Sequence, residues 1–347
     1  MKTADIIVLT TYLAIVLGVG FCFACRSKTS EGFMKAGGRL PGWVIGLSLF
    51  GTYLSSNTFI GVPGKAYAGN WNAFVFSLSI PIAILIATKW FVKFYRDTGE
   101  ISAYEHLEKR FGVWARIYAV ICYLLTQIAR TATIMLGVAI GLQQITGWDL
   151  TSIILVSGIL VTAYTLIGGI EAVIWTDAIQ SIVLTLGAIL VIVTILAKHP
   201  DGASSAFAIA IDNKKFSLGS WNIADLATST VWIVLVYGLF INLTNFGIDQ
   251  NFIQRYHTAQ NDAAANRSLW IGAMLYLPVS LLFFLIGSLL FSFYQSMPEE
   301  IAAIQKMAGE SKFEDSILPH FMTHHLPTGL GGLIIAALAA AAMSTID

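Results

Sequence analysis

The chain has 347 residues, of which 56% are hydrophobic and only 12% are charged, whereas an average soluble domain has about 25% charged residues. Its formal net charge is zero, so the composition gives no support for binding to nucleic acid. Three cysteines do not indicate a disulfide framework, and Cys22 and Cys25 stand in an apolar run where small packing residues are expected. The composition therefore predicts a membrane protein.

Apolar runs long enough to cross a bilayer, which takes about 20 residues, recur along the whole chain. The first is interpreted as a retained helix because it lacks a small-residue cleavage site. The predicted spans are residues 5–25, 43–66, 72–95, 113–143, 151–168, 172–197, 228–254, 268–295 and 329–347. They predict an all-α polytopic membrane protein in which residues 1–347 form one transmembrane domain. The last run reaches Asp347 without a helix stop signal, so we expect the sequence to be cut within a helix.

The Lys and Arg residues of the loops predict an orientation. They are concentrated in the loops at 26–42, 96–112 and 255–267, whereas the loop at 144–150 has none. Positively charged loop residues favour the cytoplasmic side. We therefore expect a multi-pass protein of the plasma (inner) membrane, with its N-terminus outside and the end of this chain inside.

The second span contains residues that a helix in lipid would not select. It includes the stretch "FGTYLSSNTFIGVPG", from Phe50 to Gly64. Glycine and proline weaken a helix, and a break at membrane depth exposes carbonyl oxygens that suit a hard cation such as sodium. A close helix-packing face made of small residues explains the same composition. These residues alone do not separate the two interpretations.

The seventh span has a similar interruption. In "VYGLFINLTNFGIDQNFIQRY", Asn242, Thr244, Asn245 and Gly247 interrupt an apolar run. Paired interrupted spans are a sequence indication of a transporter binding site. Because the second and seventh spans lie five apart, they favour two inverted five-helix repeats that begin at these spans.

Charged and titratable residues leave several alternatives open. Arg130 lies about 17 residues into its span, or about 25 Å along a helix, and indicates either an anionic substrate group or an internal ion pair. Asp177 lies about five residues into its span, nearer the cytoplasm, where cation binding and interfacial solvation both explain it. His320, His324 and His325 occur together in a polar stretch, as a solvated loop or as a zinc site.

Four stretches resemble the sodium:solute symporter family. They are "FGTYLSSNTFIGVPGKAY", "GGIEAVIWTDAIQ", "DQNFIQRY" and "AALAAAAMSTID", in family order over essentially the whole chain. The residues and spacing of these stretches are most similar to those of the bacterial sialic acid symporters of that family. The resemblance implies a leucine-transporter-like inverted-repeat fold, with a leading helix, a first repeat and the first three helices of the second.

The resemblance also implies site residues. The common sodium site of the family lies between the broken second span and the ninth; here it would use the carbonyls of Gly51, Leu54 and Ala341 and the hydroxyls of Ser344 and Thr345. A second sodium is implied at Asp177, although Asp347 replaces one serine expected there. The implied solute-binding residues are Thr52, Tyr53, Ser55, Ser56, Thr58, Ser77, Arg130 and Asn242. Among them, Arg130 would bind a carboxylate, while Tyr53 and Ser77 replace a Thr and a Gln of the sialic acid branch.

The predicted function is sodium-coupled symport of a small polar organic solute, such as the acidic sugar sialic acid, by alternating access. The alternatives are symport of a sugar or another organic solute, and a transporter-like sensor module. An enzyme is not expected, because the sequence has no HExxH, GxSxG, GxxxxGK[ST] or GxGxxG motif. The expected partners are sodium ions, the solute and the lipid bilayer; no nucleic acid or protein partner is inferred.

Overall fold

The computed structural model describes residues 3–23, 27–54, 56–99, 102–225, 227–308, 313–327 and 329–346, most of which are helical. Within these ranges, strand-like pairing is limited to one isolated bridge between Leu40 and Ala259. The α-helices are α1 Thr3–Cys22, α2 Ser30–Lys35, α3 Gly42–Tyr53, α4 Ser56–Ala68, α5 Val75–Leu78, α6 Ile80–Ile86, α7 Val92–Thr98, α8 Glu105–Phe111, α9 Val113–Thr146, α10 Leu150–Lys198, α11 Ala203–Asp212, α12 Val231–Gly247, α13 Gln250–Thr258, α14 Asp262–Gln295, α15 Pro298–Ala308, α16 Phe313–His324 and α17 Leu330–Ile346. Helices α5 to α7 follow one another in a single apolar helical segment, Trp71–Thr98.

Long apolar helices dominate the described residues. By length and composition, five could cross a membrane, and the bent pair α12–α13 makes a sixth. The five are Thr3–Cys22, Trp71–Thr98, Val113–Gln143, Leu150–Lys198 and Asp262–Gln295. The remaining predicted spans consist of shorter helices, namely the pair α3–α4 and α17. These helices agree with the predicted all-α membrane class.

Helix α10 combines two predicted spans. Its 49 residues would measure about 74 Å at 1.5 Å per residue, far more than the roughly 30 Å of a bilayer core. The helix is kinked at Gly169, with φ 62° and ψ −166°, a conformation that L side chains rarely adopt. Both limbs contact α17, because Val161 shares an apolar cluster with Ala336 and Gly187 packs against Ala337. The kink at Gly169 therefore separates the spans predicted at 151–168 and 172–197.

The second and seventh predicted spans are both interrupted. Helix α3 ends at Tyr53, and Leu54 is extended, with φ −89° and ψ 103°. Helices α12 and α13 form an angle of 51° across a short break, and Asp249 begins α13 by accepting a hydrogen bond from the backbone N–H of Asn251 at 2.9 Å. Each broken pair exposes backbone groups that a continuous helix would use internally.

Small residues also serve close packing in the second span. A Cβ atom on Gly272 of α14 would lie 2.7 Å from the carbonyl oxygen of Gly46 on α3, so the two backbones are in direct contact. Pro63 and Gly64 lie inside α4 and pack against Gly287 and Glu314. Close packing therefore explains Gly46, and the break that the other interpretation requires falls at Leu54.

Distant side chains cap two of the helices around the breaks. The carboxylate of Asp5 accepts hydrogen bonds from the backbone N–H groups of Gly329 and Gly332, both at 2.9 Å, at the N-terminal end of α17. The ammonium group of Lys215 donates to the carbonyls of Tyr67 and Gly69, at 2.6 and 3.1 Å, at the C-terminal end of α4. Burial lowers the pKa of Lys215. Both contacts satisfy groups that helix ends leave unpaired.

The polar stretches between the predicted spans also contain helices, among them α11, α15 and α16, and the histidine interpretation needs correction. His320 and His324 lie on α16, and His320 is buried, so this stretch is not a solvated loop. His320 Nδ1 is 3.0 Å from the hydroxyl of Tyr294, and His325 Nε2 is 2.8 Å from Glu300. Among the described residues, no group of three or more His, Cys, Asp or Glu side chains could hold a metal ion. The zinc alternative therefore has no support there.

Candidate functional site between the two broken helices

The oxygen atoms implied as sodium ligands come together between α3 and α17. The hydroxyl of Ser344 donates to the carbonyl of Gly51 at 3.2 Å, and that of Thr345 lies 3.4 Å from the carbonyl of Leu54. Thr345 also donates to the carbonyl of Ala341 at 2.9 Å. All five residues are buried. The break at Leu54 permits this approach because it directs a carbonyl toward α17 instead of along α3.

The chemistry of this set suits sodium. It consists of three carbonyl and two hydroxyl oxygens, and hard cations prefer oxygen to nitrogen or sulfur. Both contacts between the helices are longer than the usual O–H···O distance of about 2.7–2.8 Å, so an ion would displace only weak bonds. Gly51, Leu54, Ala341, Ser344 and Thr345 would hold the ion, and its assignment stays a prediction.

Gly51 has a packing role as well. A Cβ atom at this position would lie 2.6 Å from the Oγ of Ser181 and 3.3 Å from the carbonyl oxygen of Asp177, both on α10. The Ser181 hydroxyl donates to the carbonyl of Leu47 at 2.8 Å. The glycine therefore lets α10 lie directly against the last turn of α3, beside the carbonyl that faces Ser344.

Asp177 takes part in a buried ion pair. Its Oδ2 lies 2.9 Å from a guanidinium nitrogen of Arg255 on α13 and accepts a hydrogen bond from Ser48 at 2.5 Å. Arg255 also donates to the Ser48 hydroxyl at 2.8 Å. The Asp177 side chain is fully buried, so interfacial solvation does not explain its position. The pair supplies Asp177 with an internal cation, and the predicted second sodium there stays a prediction.

A separate cavity of about 200 Å³ lies between the two breaks. Six side chains from α3, α5, α9, α12, α13 and α14 line it: Tyr53, Phe76, Arg130, Asn245, Phe252 and Tyr276. The ring of Tyr53 meets that of Tyr276 edge to face, with centroids 4.6 Å apart. The cavity therefore combines aromatic walls with one amide and one guanidinium, a composition that suits a polar ligand with an apolar face.

Two of the predicted solute ligands lie behind the cavity wall. Asn242 is buried; its side-chain oxygen accepts a hydrogen bond from the Tyr53 hydroxyl, and its amide nitrogen donates to Ser79 at 2.9 Å. Ser77 is also buried and forms a hydroxyl pair with Ser280 at 2.9 Å. In this arrangement Asn242 orients the Tyr53 hydroxyl, and Ser77 lies outside the cavity lining.

Arg130 projects into the cavity from α9. One of its guanidinium nitrogens lies 3.6 Å from the Oδ2 of Asp249, the residue that caps α13, and its side chain is 32% exposed. The distance exceeds the roughly 2.7–2.9 Å of a charge-assisted hydrogen bond. Both sequence interpretations of Arg130 therefore remain compatible with its position: it has an ion-pair partner, and it faces a space that a ligand could occupy.

The other predicted solute ligands lie along the α3–α4 break. Thr52 is buried, and among the described residues its hydroxyl has no hydrogen-bond partner. Thr58 is half-buried on α4. Ser55 lies outside the described residues, and so does the side chain of Ser56. The structure therefore adds nothing to the predictions for these two serines.

Sequence reasoning did not identify several residues of this region. Phe76, Phe252 and Tyr276 line the cavity, but aromatic residues are common throughout such a chain and carry no local signal. Asp249 and Arg255 could have been recognised, because charged residues next to an interrupted apolar run are costly in lipid and usually have a partner.

The chain matches the sodium:solute symporter family over residues 33–347. It is 38% identical to the sodium/sialic acid symporter SiaT of Proteus mirabilis, over 98% of this chain and 67% of that protein. It is 36% identical to the sodium/sialic acid symporter NanT of Aliivibrio fischeri, over 99% of this chain and 67% of that protein. A solved structure of a Na+-coupled sialic acid symporter in a substrate-bound outward-open state has a TM-score of 0.91 and 35% identity, and covers 99% of this chain and 72% of that chain.

Proposed function

The chain belongs to the sodium:solute symporter family and is a sodium-coupled solute transporter rather than an enzyme, and we propose that its solute is an acidic sugar of the sialic acid class. The observation that carries this proposal is the position of Arg130, whose guanidinium lines the cavity between the two broken helices. Arginine is well suited to a carboxylate, which it binds through two parallel hydrogen bonds. Two relatives at 36–38% identity are sialic acid symporters, which supports the same solute class.

Sodium would act through the break of α3. An ion held by the carbonyls of Gly51 and Leu54 and the hydroxyls of Ser344 and Thr345 joins the end of α3 to α17. Tyr53 lies between Gly51 and Leu54 in sequence and lines the solute cavity. Sodium binding therefore favours one conformation of the residue that the solute contacts, which gives a physical route for coupling.

The energy available for uptake follows from the charge that moves. One elementary charge crossing 100 mV supplies about 2.3 kcal/mol, which corresponds to roughly 50-fold accumulation at about 1.4 kcal/mol per factor of ten. A sodium concentration gradient adds to this. The Lys and Arg residues of the loops at 26–42, 96–112 and 255–267 support an orientation in the inner membrane with the N-terminus outside.

Uptake into proteoliposomes tests the proposal. The purified full chain is reconstituted, and uptake of radiolabelled sialic acid is measured with an inward sodium gradient or with choline replacing sodium. We expect accumulation only with sodium, and competition by unlabelled sialic acid but not by galactose. Uptake that persists in choline contradicts sodium coupling. Sodium-dependent uptake of galactose or lactate without uptake of sialic acid contradicts the proposed solute class.

A further inference from the structure

We propose that Asp249 is an internal counter-ion of Arg130 that the carboxylate of the solute displaces, so that Asp249 helps to determine which solutes bind. This inference rests on the proposed function, because it assumes that an acidic solute enters the cavity. Asp249 does not line that cavity. It acts through Arg130 and is therefore a positioning and specificity-determining residue.

The two residues of this ion pair are held to different degrees: Asp249 is fixed by other hydrogen bonds, and Arg130 is more exposed. Oδ2 of Asp249 lies 3.6 Å from Nη1 of Arg130, and the side chains are 13% and 32% exposed, respectively. Asp249 is anchored because its Oδ1 accepts the backbone N–H of Asn251 at 2.9 Å, and the hydroxyl of Tyr123 lies 3.5 Å away. Arg130 is the longer and more exposed partner. A rearrangement would therefore move Arg130 and leave Asp249 in place.

Groups other than Arg130 also stabilise the charge of Asp249. It stands at the N-terminal end of α13, where unpaired N–H groups and the helix dipole favour a carboxylate. Arg255 lies farther along the same helix, although its guanidinium is engaged by Asp177. Arg130, among the aromatic rings of Tyr53, Phe252 and Tyr276, would lose its ion-pair partner in the same movement unless a solute carboxylate replaces it.

Selectivity follows from an exchange of partners. A solute with a carboxylate replaces Asp249 and can form a closer, two-pronged contact with Arg130. A neutral solute cannot offer this replacement and leaves the existing pair intact. Small inorganic anions must compete with a carboxylate that is already present, so the pair also protects the empty cavity against them. The binding free energy of an acidic solute then includes the difference between two interaction energies, that of the solute carboxylate with Arg130 and that of Asp249 with Arg130.

The substitution Asp249→Asn isolates this effect. Asparagine is as good a helix cap as aspartate, so α13 should be preserved while the negative charge is removed. We expect the dissociation constant of sialic acid to fall about tenfold, which corresponds to about 1.4 kcal/mol, and that of its neutral methyl ester to stay unchanged. Isothermal titration calorimetry of the full chain in saturating sodium measures both. Chloride should inhibit sialic acid binding to the variant more than binding to the parent.

Two further substitutions serve as controls. Asp262→Asn removes a carboxylate that pairs with Arg96 outside the cavity, and it should change neither affinity. In an Arg130→Gln background, which weakens binding of the acid, Asp249→Asn should have no further effect. If Asp249→Asn does not fold, Asp249→Ser keeps a capping side chain without the charge and is measured instead.

The outcomes separate the two proposals. Weaker or unchanged binding of sialic acid by Asp249→Asn overturns the role of Asp249, as does an equal gain for the ester or a gain that persists in the Arg130→Gln background. A folded parent chain that binds neither the acid nor the ester overturns the proposed solute class itself.

Discussion

At the residue scale, the contacts between α3 and α17 considered for sodium are made by neutral hydroxyl and carbonyl oxygen atoms. The hydroxyls of Ser344 and Thr345 approach the carbonyls of Gly51 and Leu54 at 3.2 and 3.4 Å. Such long contacts hold the carbonyls weakly. An ion placed among them would gain several oxygen contacts and break no strong hydrogen bond between the helices, which agrees with the predicted sodium site.

Ser344→Ala tests this arrangement. Removing one hydroxyl ligand should raise the sodium concentration for half-maximal binding about tenfold, at about 1.4 kcal/mol per factor of ten, because the ion would lose one of its five predicted oxygen ligands. The change is measured by titrating sodium against the thermal stability of the full chain. Ser292→Ala, at a buried serine 3.1 Å from His199, should not change the sodium requirement. An unaltered requirement in Ser344→Ala would remove Ser344 from the set.

The sequence predicted which polar residues belong to the site region, but not which of their side chains contact one another. Tyr53 and Asn242 were each predicted to contact the solute, yet the structure joins them to each other across 189 residues of sequence. Arg130 was predicted to have either a solute or a partner, and the partner, Asp249, lies on another helix. Such pairs depend on how helices pack, and a single sequence contains no local pattern that encodes the packing.

At the element scale, both interrupted spans were predicted from their composition, but the position of a break depends on packing. Pro63 would be expected to end a helix, yet it lies inside α4, where its carbonyl contacts Gly287 of α14. The break occurs instead at Leu54. Likewise, α14 begins at Asp262 and not at 268, because Asn261 caps it by accepting the backbone N–H of Ala264 at 2.8 Å.

The ion pair between α10 and α13 gives a prediction at this scale. Arg255→Met leaves the buried carboxylate of Asp177 without its guanidinium, and breaking such a pair by removing one partner costs about 3–5 kcal/mol. We expect a clear loss of thermal stability in detergent at low sodium. The double variant Asp177→Asn/Arg255→Met removes both charges and should lose less.

Sodium provides the second measurement on these variants. If Asp177 holds a second sodium, the ion should stabilise Arg255→Met more than the parent chain; equal stabilisation would count against that site. Arg116→Met serves as a control, because its pair with Glu108 is solvent-exposed and such pairs contribute about 0–1 kcal/mol.

At the scale of the whole molecule, the predicted sodium ligands lie where two groups of helices meet. Helices α1 and α10 pack around α17, while α14 packs against both α3 and α4. The abundance of apolar runs was sufficient to predict an all-α membrane protein, whereas the leucine-transporter-like arrangement followed from the family resemblance. Hydropathy could not predict the capping of distant helix ends or the helices in the polar stretches, because these depend on contacts between distant parts of the chain.

One of those polar stretches contains α16, and its His320 predicts that the free energy of unfolding depends on pH. Burial, with the neighbouring His324 as the next cause, lowers the pKa of His320 from its ordinary 6.5 to about 4, although Glu300 opposes the shift. Between these values the unfolded chain binds more protons than the folded chain, so the free energy of unfolding falls as the pH falls. This contribution is complete above about pH 6.5 and is lost toward about pH 4.

Thermal unfolding of the full chain between pH 4 and pH 7 measures this effect. His320→Gln removes the titrating group and should make the stability less dependent on pH within that interval. His106→Gln is the matched control, since this histidine lies on α8 beside Phe94, away from α16. The same pH slope in His320→Gln and the parent would contradict the assignment.

The carboxylate of Asp5 has a consequence for ion discrimination. It fixes the start of α17 through two backbone N–H groups, so Ala341, Ser344 and Thr345 belong to a helix that is tethered at its N-terminal end. Leu54, in contrast, lies at the C-terminal end of α3 in extended backbone. A sodium ion at the predicted site would therefore contact a tethered helix on one side and the break after α3 on the other. We therefore expect the position of the Leu54 carbonyl to determine how well the site fits sodium rather than the smaller lithium or the larger potassium.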